Sequence, residues 1–239
     1  MPHRLDRRRR WLTALGWPTG VALTSWDYMW RTTPLHRREL IAKRTDGRDL
    51  PPTYPHGVDA ADVQPAEQGH GPLFHRRYRT SVRRGRMNAA ELMAAVQCDL
   101  NSAAPTKLAS FQKTRGDRAK MAVGDEYVVR MPGPWDGPVR VIAVGPSSFR
   151  LATLHGHLEA GQIEFRARDD DGVVFEIESW ARSSDFWSNL LYQHLRMAKE
   201  VQLHMWLSFL ENVTRIAGGR MTGGVDIETH RIADFNVAS

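Results

Sequence analysis

One stretch constrains this chain more than any other. From Ser184 to Ala217, Trp187, Leu190, Leu191, Met197, Val201, Met205, Phe209 and Val213 recur at helical spacing. Ser183, Ser184 and Asp185 offer an N-cap and a negative first turn, and Gly218-Gly219 a left-handed stop. A continuous helix over this span would be about 50 Å long. Its apolar stripe needs a partner surface of similar length, and the chain before it offers a series of short strands.

Leu73 to Val82 alternates as a strand, with Phe74, Arg76, Tyr78 and Thr80 on one face and Leu73, His75, Arg77 and Arg79 on the other. Met87 to Leu100 has helical spacing, with Asn88 as cap and Glu91 at the capping-box position. A short second helix is expected near Thr106 to Ala109, and a strand around Phe111. Further strands are expected over Glu126 to Met131, Val139 to Val144, Ser148 to Leu154, Gly161 to Arg168 and Val173 to Ala181, each bounded by Gly, Pro or Asp. Regular alternation implies an antiparallel sheet with one wet face and one dry face, the dry face covered by the long helix. Glu164, Glu176 and Glu178 are expected on the solvated face, opposite Arg166 and Arg168.

The predicted architecture is α+β, a curved antiparallel sheet wrapped around a long C-terminal helix. Its domain would run over 71–219, preceded by a basic Trp-rich arm (1–44) and a Pro/Gly linker (45–70), and followed by a C-terminal tail (220–239). Within the arm, Leu35 to Ala42 is read as a short helix. The 239 residues suit one domain with an appendage, and the net charge of +6 favours acidic partners without choosing among them. Cys98 is the only cysteine, which rules out an intramolecular disulfide and points to a reducing, cytoplasmic setting. Its helical context predicts a buried, inert thiol.

The element order resembles the helix-grip fold of the START-like and Bet-v-1-like (polyketide cyclase) superfamily. The segment LATLHGHLEAGQIEFRARDDDGVVFEIESWARSSDF is also similar to an uncharacterised bacterial and plant domain family usually placed near that superfamily. Thr153, Gly156, His157, Gly161, Phe165, Phe175 and Arg182 carry the resemblance, which spans roughly Phe74 to Gly218. Gln162 stands where that family tends to have Glu, and Ala181-Arg182 replaces a Ser-Arg pair. The resemblance implies a fold and a cavity between sheet and helix. It brings no established activity.

The sharpest polar cluster is His155, His157 and Glu159. In an extended strand, residues two apart share a face, so the three side chains would project together. Two imidazoles and a carboxylate can hold iron or zinc, line a pocket or stabilise a turn. With no distant fourth partner at a recognised spacing, the pocket or turn role is preferred and no metal is assigned. His194 lies on the long helix's apolar stripe, where a hydrogen-bonded core histidine is the ordinary reading; with Tyr192 it could instead reach the cavity. Arg76 shares a face with aromatic residues and needs a partner or an anionic ligand there. The candidate ligand-binding residues are therefore Arg76, Tyr78, His155, His157, Glu159, Tyr192 and His194. No nucleophile elbow, Walker loop or dinucleotide fingerprint occurs, so neither a catalytic residue nor a cofactor is assigned.

Near the amino terminus, Arg7, Arg8, Arg9 and Arg10 precede Trp11, and Trp17, Trp26 and Trp30 follow. Gly16, Pro18 and Gly20 interrupt the apolar run, which argues against an export signal or a membrane span. The arm either docks its tryptophans on protein or touches an anionic membrane surface, giving a peripheral membrane setting. No recognised nucleic-acid module accompanies the basic residues, and nucleic acid is not an expected partner. The sequence favours binding of a hydrophobic or amphipathic small molecule, lipid-like or polyketide-like, between sheet and helix. The alternatives are an enzyme of the cyclase or hydrolase type with a histidine general base in the same cavity, and a membrane-surface adaptor working through the arm.

Overall fold

The strand segments of this chain alternate apolar and polar residues, and the alternation places them in a single sheet. The computed structural model describes residues 33–42, 47, 49–106, 109–117, 119–130, 136–184 and 196–233. The strands are β1 (Leu35–Ala42), β2 (His70–Arg83), β3 (Ser110–Arg115), β4 (Glu126–Arg130), β5 (Asp136–Gly145), β6 (Ser148–Thr153), β7 (Glu159–Asp169), β8 (Val173–Ser183) and β9 (Arg220–Ile232). The helices are α1 (Ala89–Cys98), α2 (Leu100–Ala103) and α3 (Arg196–Ile216), and a 3-10 turn covers Ala66–Gln68. The strands form a long, curved sheet in the order β1-β9-β2-β8-β7-β6-β5-β4-β3. All neighbours are antiparallel except β1 and β9, which run parallel.

The register writes the two faces of the sheet as cross-strand rows. On the inner face, Phe149, Phe165, Ile177, Tyr78 and Ile227 lie side by side across β6, β7, β8, β2 and β9. Cross-strand neighbours of this kind are the unit of sheet packing. On the outer face the matching rows are charged, with Glu164, Glu178, Arg77 and Glu228 above Arg166, Glu176, Arg79 and Asp226. Inner residues are buried beneath the helices: Phe149, Phe165 and Phe175 of the sheet, and Phe209 of the helix over them, are all essentially inaccessible. Phe165 stacks on Phe149 at 4.5 Å and meets Phe209 at 5.3 Å and Trp206 at 5.8 Å.

Helix α3 crosses β2, β8 and β9 and is backed by α1 and α2. This explains why Leu203, Met205, Trp206 and Leu207 are buried in succession, beyond what one stripe requires. Its end follows the expected chemistry. Gly218 adopts φ +65°, its N–H donates to Arg215 O at 3.0 Å, and the Gly219 N–H donates to Thr214 O at 3.3 Å. These two bonds make a Schellman stop. The capping box of α1 also forms, with Asn88 Oδ1 accepting from Glu91 N and Glu91 Oε2 accepting from Asn88 N, both at 2.9 Å.

The structure departs from the sequence reading at both ends of the domain. α3 is not the last element: its glycine stop turns the chain back into β9, which lies between β1 and β2 and buries Val225, Ile227 and Ile232. A residue run read as a tail is therefore an interior strand; Gly223 and Gly224 disguised it. Gly224 is required where β9 meets the start of β1, because a Cβ there would sit 2.2 Å from Pro34 O. Leu35 to Ala42 is a strand and not a helix, since the parallel edge of β9 offers it a ladder that a short isolated helix lacks. Of the short helix expected near Thr106 to Ala109, Lys107 and Leu108 lie outside the described residues, and the Ala109 N–H donates to Pro105 O at 2.9 Å.

The stretch read as a linker is also part of the domain from Asp49 onward. It lies on the outer face, where Gln162 Nε2 donates to Pro52 O, Arg140 to Asp59 O and Ala61 O, and Thr153 Oγ1 to Gln64 O. Proline and glycine do not prevent docking when side chains of the sheet satisfy the backbone. The arm from residue 1 to 32, with Arg7, Arg8, Arg9, Arg10 and Trp11, lies outside the described residues, as does most of the amino-terminal third of the predicted long helix. Among the described residues no helix is long and apolar enough to cross a membrane.

Candidate functional site

Arg76 projects from β2 onto the inner face, in a row with Ile163, Ser179 and Thr229. It is only 5% exposed. A buried guanidinium needs hydrogen-bonding partners, and three elements supply them. Its Nη1 donates to Gln202 Oε1 of α3 at 3.2 Å and lies 3.6 Å from Glu159 Oε1 at the start of β7, while its carbon sits 4.7 Å from the Phe74 ring centre. Gln202 Nε2 closes the set by donating to Glu159 Oε2 at 3.3 Å. Tyr78 lies one row deeper and is buried; burial is the largest influence and raises its phenol pKa, with Arg76 opposing and Glu159 adding to the rise.

The inner wall holds two further polar groups that sequence reasoning did not single out. Ser179 Oγ, beside Arg76, and Trp206 Nε1, on the α3 residue that packs against Phe165, are buried with no hydrogen-bond partner among the described residues. Their signal in the sequence was weak: Ser179 is one small residue in an alternating strand, and Trp206 sits beside the apolar stripe of α3.

The predicted trio does not form as a unit. His155 and Gly156 lie in a turn, with Gly156 at φ +97°, so the alternation that would align His155, His157 and Glu159 is broken. His155 is exposed and only its backbone is engaged, donating to Asp62 O at 2.8 Å. His157 folds back on its own chain, its Nδ1 accepting from the Glu159 N–H at 2.9 Å. Burial lowers the His157 pKa, with Glu159 pulling the other way. Glu159 alone of the three reaches the inner set. Arg76, Tyr78 and Glu159 are thus brought together, and His157 adjoins them through Glu159. Tyr192 and His194 lie outside the described residues. Cys98, expected to be buried, is exposed at the mouth of a surface hollow of about 280 Å³ that Asn101, Phe111, Lys113 and Tyr127 also line.

A second polar cluster lies on the outer face. His75, in a row with Gln162, Trp180 and His230, stacks on the Trp180 ring at 5.3 Å. Its Nε2 is 2.7 Å from Glu178 Oε1 and its Nδ1 is 2.8 Å from Asp49 Oδ1; His230 Nδ1 approaches the same Asp49 oxygen at 2.7 Å. Arg77 donates to Glu178 at 2.8 Å, and Arg166 pairs with its other oxygen. Burial alone would raise the Glu178 carboxyl, yet the bonds from His75 and Arg77 and the charge of Arg166 bring it down to about 2. Glu178 is therefore not part of a solvated face. Asp49 and His230 carried no signal in the sequence, because one stands in the Pro/Gly stretch and the other in the presumed tail.

Three residues that carry the family resemblance, Thr153, Gly161 and Arg182, fasten the outer segment. Thr153 Oγ1 accepts from the Gly161 N–H at 2.9 Å and donates to Gln64 O at 2.9 Å, and Arg182 donates to Gly71 O and Ala66 O. Residues 39–210 match the family described as a domain of unknown function, DUF1990. No curated protein matches the chain. Among solved structures, the chain is similar to the di-domain ARO/CYC StfQ from the steffimycin biosynthetic pathway, at 9% identity and a TM-score of 0.43 over 62% of this chain and 51% of that one. This chain thus aligns with about half of StfQ. It is also similar to the hypothetical protein jhp0584 from Helicobacter pylori, at 10% identity and a TM-score of 0.41 over 59% of this chain and 86% of that one. A third similarity is to Ara h 8.0201, at 10% identity and a TM-score of 0.34 over 56% of this chain and 98% of that one.

Proposed function

The chain belongs to the DUF1990 family, and we propose that it binds an amphipathic small molecule, lipid-like or polyketide-like, between the inner face of the sheet and α3. The observation that carries this reading is a pair of buried polar groups with no hydrogen-bond partner among the described residues, Ser179 Oγ beside Arg76 and Trp206 Nε1 against Phe165. Leaving a buried polar group unsatisfied costs about 1–3 kcal/mol. Such groups in a native fold call for a water or a ligand to complete them. A ligand oxygen near Arg76 would accept from the guanidinium and from the indole N–H, and its apolar body would lie along Ile163 and Phe165. The Gln202 and Glu159 contacts hold the guanidinium in place until the ligand arrives.

The test is a titration of the full chain with a long-chain carboxylate and with the alcohol of equal length. Both are expected to bind with one-to-one stoichiometry, the carboxylate more tightly. A hydrogen bond to a charged group is worth about 1.5–3 kcal/mol, so Arg76→Met is expected to weaken carboxylate binding by roughly tenfold or more and leave the alcohol nearly unchanged. Absence of saturable binding for both, or an equal loss for both in the variant, contradicts the proposal.

A further inference from the structure

We propose that Asp49, His75 and His230 form a binding site for a divalent transition-metal ion of the zinc class, on the outer face of the sheet and separate from the inner wall. One ligand atom from each of the three lies within 4.8 Å of the other two. Two imidazoles and one carboxylate form a donor set that zinc and iron(II) accept and that magnesium and calcium, which prefer oxygen, do not. The three residues come from separate parts of the chain: the segment before β2, β2 itself and β9.

The distances are close to what such an ion requires. Two imidazole nitrogens converge on a single carboxylate oxygen, at 2.8 and 2.7 Å. Ligand atoms around a tetrahedral ion with bonds of about 2.0–2.1 Å stand ~3.3 Å apart, so an ion enters by spreading each contact by roughly half an ångström. The surroundings resemble the shell that orients metal ligands. His75 offers its second nitrogen to Glu178 at 2.7 Å, which leaves Nδ1 facing the site, and the Trp180 ring stacked on it fixes the imidazole plane. A carboxylate on the far nitrogen of a ligating histidine is the usual arrangement. Glu178 is itself held by Arg77 and Arg166. Arg77 is in turn shared with Glu176 at 3.6 Å and Glu228 at 3.2 Å. The His230 side chain is 27% exposed, against 5% for His75, so the site opens to solvent on the β9 side. Three protein ligands with an open side is the ligand count of a site that keeps a position for water or an exogenous ligand.

The experiment uses the full chain, stripped with a chelator and dialysed, titrated with zinc chloride by calorimetry and with cobalt(II) by visible absorption. One equivalent is expected to bind, with cobalt bands characteristic of low-coordinate nitrogen and oxygen ligation. Asp49→Asn and His230→Gln are each expected to weaken binding by roughly 100-fold, while His155→Gln, at an exposed histidine elsewhere, leaves it unchanged. Glu178→Gln is expected to weaken it ~10- to 100-fold through the orientation of His75. His230→Gln replaces a partly exposed side chain, so a retained cooperative melt separates lost ligation from lost folding. The absence of one-equivalent binding by the wild-type chain, or binding that both ligand variants leave untouched, overturns the proposal and makes the cluster a hydrogen-bonded clamp on the Asp49 segment.

Discussion

Gly161 shows how much a single residue decides in this fold. A Cβ at that position would stand 1.9 Å from Trp180 O, inside the β7–β8 ladder, and the Gly161 N–H must still reach Gln64 O and Thr153 Oγ1. Gly161→Ala therefore has to move backbone, not a flexible side chain, and is expected to destabilise the protein by about 3 kcal/mol or more in denaturant unfolding. A loss below about 1 kcal/mol would contradict the close approach. His157 offers a pH-dependent counterpart. Burial lowers its folded-state pKa below the ordinary 6.5, against the opposing pull of Glu159 and of the Glu159 backbone beside Nδ1. Between the lowered folded value and 6.5 the unfolded chain binds more protons than the folded one, so stability rises with pH across that window and falls as the solution is acidified. The stability difference between wild type and His157→Gln, followed by urea unfolding, is expected to shrink as pH falls from ~7.5 to ~5. A pH-independent difference would rule out a neutral His157 in the fold.

At the scale of elements, local signals survived wherever a segment's own pattern decided its state. The capping box at Asn88, the glycine stop after Ile216 and the alternation in β2 and β4 to β8 were all legible, because caps, φ constraints and face periodicity are properties of a few adjacent residues. What was not legible depends on distant partners. Leu35 to Ala42 became a strand because β9 gave it a parallel edge, and β9 hid behind a glycine pair with positive φ, of which Gly224 also meets Pro34 O. The inner set at Arg76 was half visible for the same reason: its burial among aromatic residues followed from alternation, whereas Gln202, Ser179 and Trp206 were brought to it by register and helix packing. The outer cluster could not be read at all, since it joins residues from position 49 to position 230. β9 is the element on which this account differs most from the sequence reading. A chain ending after Gly219 would expose the edge of β2 and lose the buried Val225 and Ile227. It is expected to lose its cooperative thermal transition or to aggregate, and an unchanged melting curve would refute β9 as an interior strand.

The described residues build one sheet used on both faces. The inner face is aromatic, roofed by α1, α2 and α3, and carries a small set of polar groups near Arg76. The outer face is a charged ladder, capped at one end by the 49–69 segment, whose backbone is held by Thr153, Arg140, Gln162 and Arg182. This division gives the family-like residues a physical role. Thr153, Gly161 and Arg182 fasten a covering segment to the sheet. Ligand chemistry is instead proposed for Arg76, Ser179 and Trp206, on the inner face. The central claim is that this inner wall takes up an amphipathic molecule. Native mass spectrometry of the full chain purified from its source cell tests it most directly. One retained amphipathic molecule per chain is predicted for the wild type, with marked loss in the Arg76→Met variant. A bare mass for both, with no uptake of an added long-chain carboxylate, would contradict the account.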